Sequence, residues 1–264
     1  MTYDLHVPES WADLSQDQLE YLLKVIAVVN RISLGRSFIS KDDFSAQVVA
    51  NVATRCLFRW NNLKVVIPYG DKWLVSGVIS GEDVEFVVSS SQITDAIASL
   101  SWVGKLPEDP VRLDTIDGAH AVSADIEDDL SFDDYLTCEA YWQVWHTTQA
   151  DSLLRDMATV LYRKDNIKLR EYELLSIFYW WAGLKAMLSR RYPNFLQPSP
   201  VEAETPHVDE LTLRRSMDSQ IRALTKGDIT KEKTILSLPA VRALTELDAL
   251  AKEYEELNRK YPSK

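Results

Sequence analysis

The hydrophobic and polar positions along the chain first settle into a helical rhythm at LSQDQLEYLLKVIAVVN, residues 14–30. Ser15 is a good N-cap, Gln18 stands three residues on, and Leu14 and Leu19 flank them: a capping box with a hydrophobic staple. The device recurs with Ser40 and Asp43 between Ile39 and Phe44, and again with Ser131 and Asp134 between Leu130 and Tyr135. Helices are therefore predicted to begin near 16, 41 and 132, the first running to about 30 and the second to about 59. The rhythm then changes. LKVVIP (63–68), KWLVSGVI (72–79) and VEFVVS (84–89) are short and β-branched, separated by Tyr69-Gly70-Asp71 and Ser80-Gly81-Glu82. This predicts a three-stranded antiparallel meander over about 63–89. Helical spacing returns at 91–103 and stops before Pro107 and Pro110, and VRL (111–113) and HAV (120–122) flank Asp117-Gly118 as a small hairpin.

From Phe132 onward the pattern is helical throughout, over about 132–147, 149–163 and 169–191, with Pro193 ending the last. Residues 195–207 hold three prolines and few apolar residues, which reads as a linker, placed at 199–207. Beyond it, helices are predicted at about 208–226, 230–237 and 239–260, with Gly227 as a C-terminal cap and Pro239 in a first turn. The expected fold is α+β and mostly α. It has a core domain over 1–198, containing a helical bundle and the meander, and a helical arm over 208–264.

The stretch IFYWWAGLK (177–185) decides between three kinds of object: a membrane anchor, a stacking platform or a piece of core. On a helix over 169–191, Leu174, Ile177, Phe178, Trp181, Leu184 and Leu188 occupy one face, and Leu175, Tyr179, Ala182 and Ala186 the other. A helix apolar nearly all round is buried in a bundle or in a membrane. Glu171 and Glu173 precede the run and Lys185, Arg190 and Arg191 follow it, leaving it short of the ~20 residues a bilayer demands. Consecutive aromatics on a helix point in different directions and make no common platform for bases. A central core helix is the expectation.

Net charge is −11, which sets the chain against the nucleic-acid backbone and anionic lipid as default partners. Arg163, Lys164, Lys168, Arg170, Lys185, Arg190 and Arg191 form a local basic excess, and nucleic-acid binding through 163–191 stands as one alternative. The two cysteines, Cys56 and Cys138, are far apart and read as buried thiols rather than a disulfide framework. MTYDLHVPESW at the start has neither a basic nor an apolar leader region, and no run of ~18 apolar residues occurs. A cytoplasmic protein is the expectation, with a place in a virion open.

The densest charge lies at 125–134, DIEDDLSFDD, with Asp125, Glu127, Asp128, Asp129, Asp133 and Asp134. A calcium loop counted from Asp125 would want glycine sixth and glutamate twelfth, where Leu130 and Leu136 stand. Two readings remain: an acidic helix start that suits the dipole, and an acidic surface that docks a basic partner. The histidines, His6, His120, His146 and His207, show no metal-ligand spacing, and HExxH, GxSxG, GxGxxG and GxxxxGK[ST] are absent. No cofactor and no metal is expected. An enzyme built from residues distant in sequence stays open as an alternative.

The final helix carries a seam. Ala243, Leu247, Leu250, Tyr254, Leu257 and Tyr261 recur at spacings of four and three, about two and a half heptads. Such a stripe buries itself against its own domain or against a partner helix, in self-association or in a larger assembly. With Asp125, Glu127, Asp128 and Asp129 it supplies the candidate partner-binding residues.

Several segments together resemble an uncharacterised family from phages and prophages of gut Bacteroidetes, encoded among virion or tail-module genes. They are PESWADLSQDQLEYLLKVIA (8–27), TRCLFRWNNLKV (54–65), SIFYWWAGLK (176–185), YPNFLQP (192–198), MDSQIRALTKGDITKE (217–232) and ALTELDALAKEYEELN (243–258). The resemblance covers most of the chain and brings no catalytic or binding motif with it. It implies a phage structural or tail-assembly context, with tail or capsid components as protein partners. The functional expectation is a non-catalytic, chaperone-like assembly protein.

Overall fold

A computed structural model describes residues 5–34, 46–79, 81–127, 129–196 and 210–260. The fold is α+β and mostly α, as the patterning predicts. Among the described residues the elements are α1 (Gln16–Leu34), α2 (Ala46–Trp60), β1 (Leu63–Tyr69), β2 (Lys72–Ile79), β3 (Glu82–Ser89), α3 (Ser90–Ser99), β4 (Thr115–Ile116), β5 (Ala119–His120), α4 (Phe132–Thr148), α5 (Asp151–Leu161), α6 (Glu171–Arg191), α7 (Glu210–Thr225), α8 (Glu232–Leu236) and α9 (Ala240–Lys260). They fall into two compact units. The first holds 1–113 and 170–179, the second 114–169 and 180–264. This grouping is not the core over 1–198 and arm over 208–264 expected from the sequence. Linker prolines mark where a chain can turn, but tertiary packing decides which segments share a core.

In the first unit, the box at Ser15 forms as predicted. Gln18 N donates to Ser15 Oγ at 3.3 Å and Ser15 N to Gln18 Oε1 at 2.9 Å. The Ser40–Asp43 box and the first turn of the helix expected at 41 lie outside the described residues. β1, β2 and β3 form an antiparallel meander in sequence order. Tyr69 pairs with Lys72 across Gly70-Asp71, where Gly70 holds a φ of 61° that a Cβ would resist. Between Val65 and Ile67 the register shifts, so Val66 is the extra residue of a bulge. One face buries Val75 and Val84 on the side of α2 and α3; Ile67, Tyr69, Val78 and Val87 are exposed. The helix expected over 91–103 ends at Ser99 and resumes as a 3-10 turn over Ser101–Gly104, with Leu100 and Val103 fully buried. A second capping box, Ser89 with Gln92, starts α3. Trp11 anchors the unit. Its ring lies 5.5 Å from Trp102 and 4.8 Å from Tyr179, and its Nε1 donates to Lys105 O at 3.0 Å.

In the second unit, Asp117-Gly118 makes the tight hairpin of β4 and β5, both residues at positive φ, which matches the right-handed twist of the strands. The strands are two residues long, at Thr115–Ile116 and Ala119–His120, rather than at 111–113 and 120–122. Asp134 N donates to Ser131 Oγ at 3.1 Å and starts α4, with the staple residues Leu130 and Tyr135 both buried. Gly227 N donates to Arg222 O at 3.1 Å, the long-range cap bond that a glycine just past a helix end permits.

α6 is the core helix expected from IFYWWAGLK. Ile177 to Trp181 are all buried, with Trp180 and Trp181 fully so. Its first half belongs to the first unit and its second half to the second. In the second unit Trp180 Nε1 donates to Ala124 O at 2.8 Å, and Trp181 lies 5.9 Å from Tyr135. No helix among the described residues is long and apolar enough to cross a membrane. Cys56 and Cys138 are free and buried, and burial pushes both thiols up, Cys56 to about 12.

Candidate functional site

The seam of α9 divides into two halves. The first is bound into the second unit: Ala243 and Leu247 are 1% and 3% exposed, and Leu244 is fully buried. Several bonds fix it there. Phe132 N donates to Leu238 O and Ala240 N to Leu130 O, both at 2.8 Å, closing a small antiparallel bridge between Ser131 and Pro239. Asn194 N and Phe195 N donate to Asp248 Oδ1 at 2.8 and 3.0 Å, and Tyr192 hydroxyl donates to Val241 O. Beyond Leu250 the seam runs out of cover. Leu250 is half-buried, Tyr254 is 67% exposed and Leu257 56%. Tyr261 lies outside the described residues.

At this transition a groove opens between α4, α7 and α9, with a volume of about 690 Å³. Leu136, Glu139, Ala140 and Gln143 of α4 line it, with Leu213 and Met217 of α7 and Leu247, Leu250, Ala251 and Tyr254 of α9. Most of these groups are apolar; the polar exception on α4 is organised. Glu139 Oε1 accepts from Lys185 Nζ at 2.8 Å and Gln143 Nε2 at 2.7 Å, while Glu139 Oε2 is buried without a hydrogen-bond partner among the described residues. The size suits a few large side chains of a partner or a small apolar ligand. The α9 wall was legible as a seam. The α7 wall was not, because Thr212, Ser216, Ser219 and Gln220 interrupt its apolar positions.

The acidic stretch is partly spent on its own loop. Asp129 Oδ2 accepts from Ser123 N at 3.1 Å and Asp125 Oδ1 from Glu127 N at 3.3 Å. Glu127 pairs with Arg191, and Asp129 O accepts from Arg163. Asp128 lies outside the described residues. Asp133 and Asp134 stand in the first turn of α4. Ile126 is fully buried at a φ of 57°, a left-handed conformation that crowds a β-branched side chain. The loop is thus a structural plug as well as a charged surface.

Most of the basic excess is likewise engaged. Lys164 pairs with Asp117 at 2.8 Å, Arg170 with Glu173, Lys185 with Glu139 and Arg191 with Glu127. Lys164, followed by the Lys168 backbone, holds the Asp117 carboxyl below its usual range. His146 is exposed at its rim, yet its ring lies edge-on to Trp142 and Trp145 at 4.7 and 5.3 Å. That desolvation holds its pKa below the ordinary histidine value, against the opposing pull of the Glu139 charge. It does not line the groove. Among the described residues no cluster of His, Cys, Asp and Glu could hold a metal ion.

Two smaller cavities lie in the first unit. One, of about 270 Å³, lies among Leu57, Val75, Phe86 and Ile93. The other, of about 510 Å³, is polar and includes Asp17, Glu20, Lys24 and Arg59. There Lys24 at 2.9 Å and the Tyr172 hydroxyl at 2.8 Å occupy Glu20 and hold its carboxyl below the usual range. No family model, curated protein or solved structure matches the chain.

Proposed function

We propose that this is a non-catalytic structural or assembly protein of a phage or prophage, chaperone-like, working through contacts with other proteins of the tail or capsid. One observation carries the contact mode: an apolar seam that leaves its own core at Leu250 and stays exposed at Tyr254 and Leu257, beside a groove already built from three helices. Covering a large apolar side chain such as Leu257 gains up to about 1.5–3 kcal/mol, less the cost of ordering it. The phage setting comes from the segments that resemble that family, not from the groove.

The bound half of α9 rules out the simplest test. Deleting 207–264 would strip Ala243, Leu244 and Leu247 from the core, so lost binding would report unfolding. The test is affinity capture by the intact tagged chain from a lysogen during induction, read by mass spectrometry. Met217→Glu is run in parallel, with its circular dichroism and melting checked. Recovery of virion or tail proteins by the parent chain, lost in folded Met217→Glu, is the expected result. Recovery of no virion protein would overturn the reading.

A further inference from the structure

We infer that the distal half of α9 pairs with the same half of a second copy of this chain, the two helices antiparallel about a two-fold axis. This deepens the protein-contact reading by naming one partner. The seam sets the register. Leu247 and Tyr254 take one heptad core position, and Leu250 and Leu257 the other. One flank of the exposed half then carries Glu253 and Lys260, and the opposite flank carries Ala251 and Asn258.

Parallel pairing sets each flank against the opposite flank of the partner helix, bringing Glu253 and Lys260 towards Ala251 and Asn258. No ion pair results. Antiparallel pairing sets like flank against like flank. Glu253 then meets Lys260 of the second copy, and the symmetry that makes the contact isologous forms the same pair a second time. In that register Tyr254 stacks in a layer with Leu257 of the second copy, again twice, and the four side chains left exposed become one core. Charge complementarity therefore selects both the occupant and its direction.

The structure leaves both charges available. Within the chain Arg259 pairs with Glu255 at 3.5 Å. Neither Glu253 nor Lys260 joins any ion pair or hydrogen bond among the described residues. The first half of the helix is held by its buried seam residues, so the second half projects from a fixed base. Ordering the partner helix costs little when its root is already set.

The test is sedimentation velocity on the full-length chain over a range of concentrations, at low and high salt. The expected result is a reversible monomer–dimer equilibrium that weakens with salt. Glu253→Lys and Lys260→Glu each place like charges opposite one another and weaken the dimer by about tenfold or more. Both sites are exposed, so melting temperatures measured at concentrations where the parent is monomeric stay close to the parent.

Two rescues discriminate. An equimolar mixture of the single variants forms heterodimers, because every Lys then faces a Glu. The double variant Glu253→Lys/Lys260→Glu regains the parent affinity. A parent chain that is monomeric at every concentration overturns the inference, as do single variants that dimerise like the parent. A dimer that the single variants break but neither rescue restores overturns the antiparallel register. Failure here and failure of the assembly role are separable. A monomer that still captures virion proteins leaves the assembly role standing, and a dimer that captures none leaves the pairing alone.

Discussion

Lys185 Nζ lies 2.8 Å from Glu139 Oε1, while Glu139 Oε2 is buried without a hydrogen-bond partner among the described residues. The two side chains are 25% and 17% exposed, so neither is well placed to exchange its partner for water. Lys185→Met should cost about 3 kcal/mol, because it strands a largely buried carboxylate. The pair replacement Glu139→Leu/Lys185→Met should recover most of that, since it removes both charges at once. Urea denaturation of the two single variants and the double variant measures the coupling; additive losses would show that the pair is not an energetic unit.

Asn30 is fully buried, and neither of its amide atoms has a hydrogen-bond partner among the described residues. A buried amide of this kind forfeits its hydration with no return. Asn30→Leu, similar in volume, should raise stability by about 1–2 kcal/mol. A lower thermal midpoint in the variant would show that the amide is in fact satisfied.

His146 supplies a pH dependence. Its folded pKa lies below the ordinary value of 6.5, first because Trp142 and Trp145 desolvate the ring. The unfolded chain therefore binds the proton more readily than the folded one. Stability from this group is complete above the unfolded pKa and falls as pH drops through about 6.5 towards the folded value. His146→Asn should flatten the decline between neutral pH and about pH 5. Urea midpoints across that window, parent against variant, are the measurement; parallel curves would remove His146 as the cause.

The meander offers a contrast within one sheet. Val75 is fully buried and Ile67 is exposed on β1. Val75→Ala should cost about 2 kcal/mol through lost burial and the cavity left behind. Ile67→Lys should cost less than about 0.5 kcal/mol, and the added charge should protect an exposed apolar edge from pairing with other chains. Equal losses at the two positions would mean that something covers the outer face.

Where chemistry was local, the sequence could be read directly. Ser15 with Gln18 and Ser131 with Asp134 announced helix starts because the cap and the group it bonds lie within one turn. Asp117-Gly118 announced a hairpin because two positive φ values in succession admit few residues. Ile177 to Trp181 announced burial because no amphipathic compromise was available to them. What stayed hidden depends on distance. The bridge between Ser131 and Pro239 joins residues over a hundred positions apart and has no signature in either segment. The same holds for Asp248 capping Asn194 and Phe195, which ties the last helix to its core. The groove was half visible: α9 showed its seam, whereas the α7 wall is carried by Leu213 and Met217 among hydroxyls and amides that disguise the period.

The division of α6 has a consequence for how the chain is made. The first unit needs Tyr179 against Trp11, and Ser176 to receive Leu113 N at 3.1 Å. Synthesis delivers the chain from its N-terminus, so every residue of 114–169 emerges before that turn of helix does. The first 113 residues therefore leave the ribosome with their closing piece still unmade. The next two residues of the same helix, Trp180 and Trp181, already belong to the second unit. Birth order and structural order are therefore out of step in the first unit.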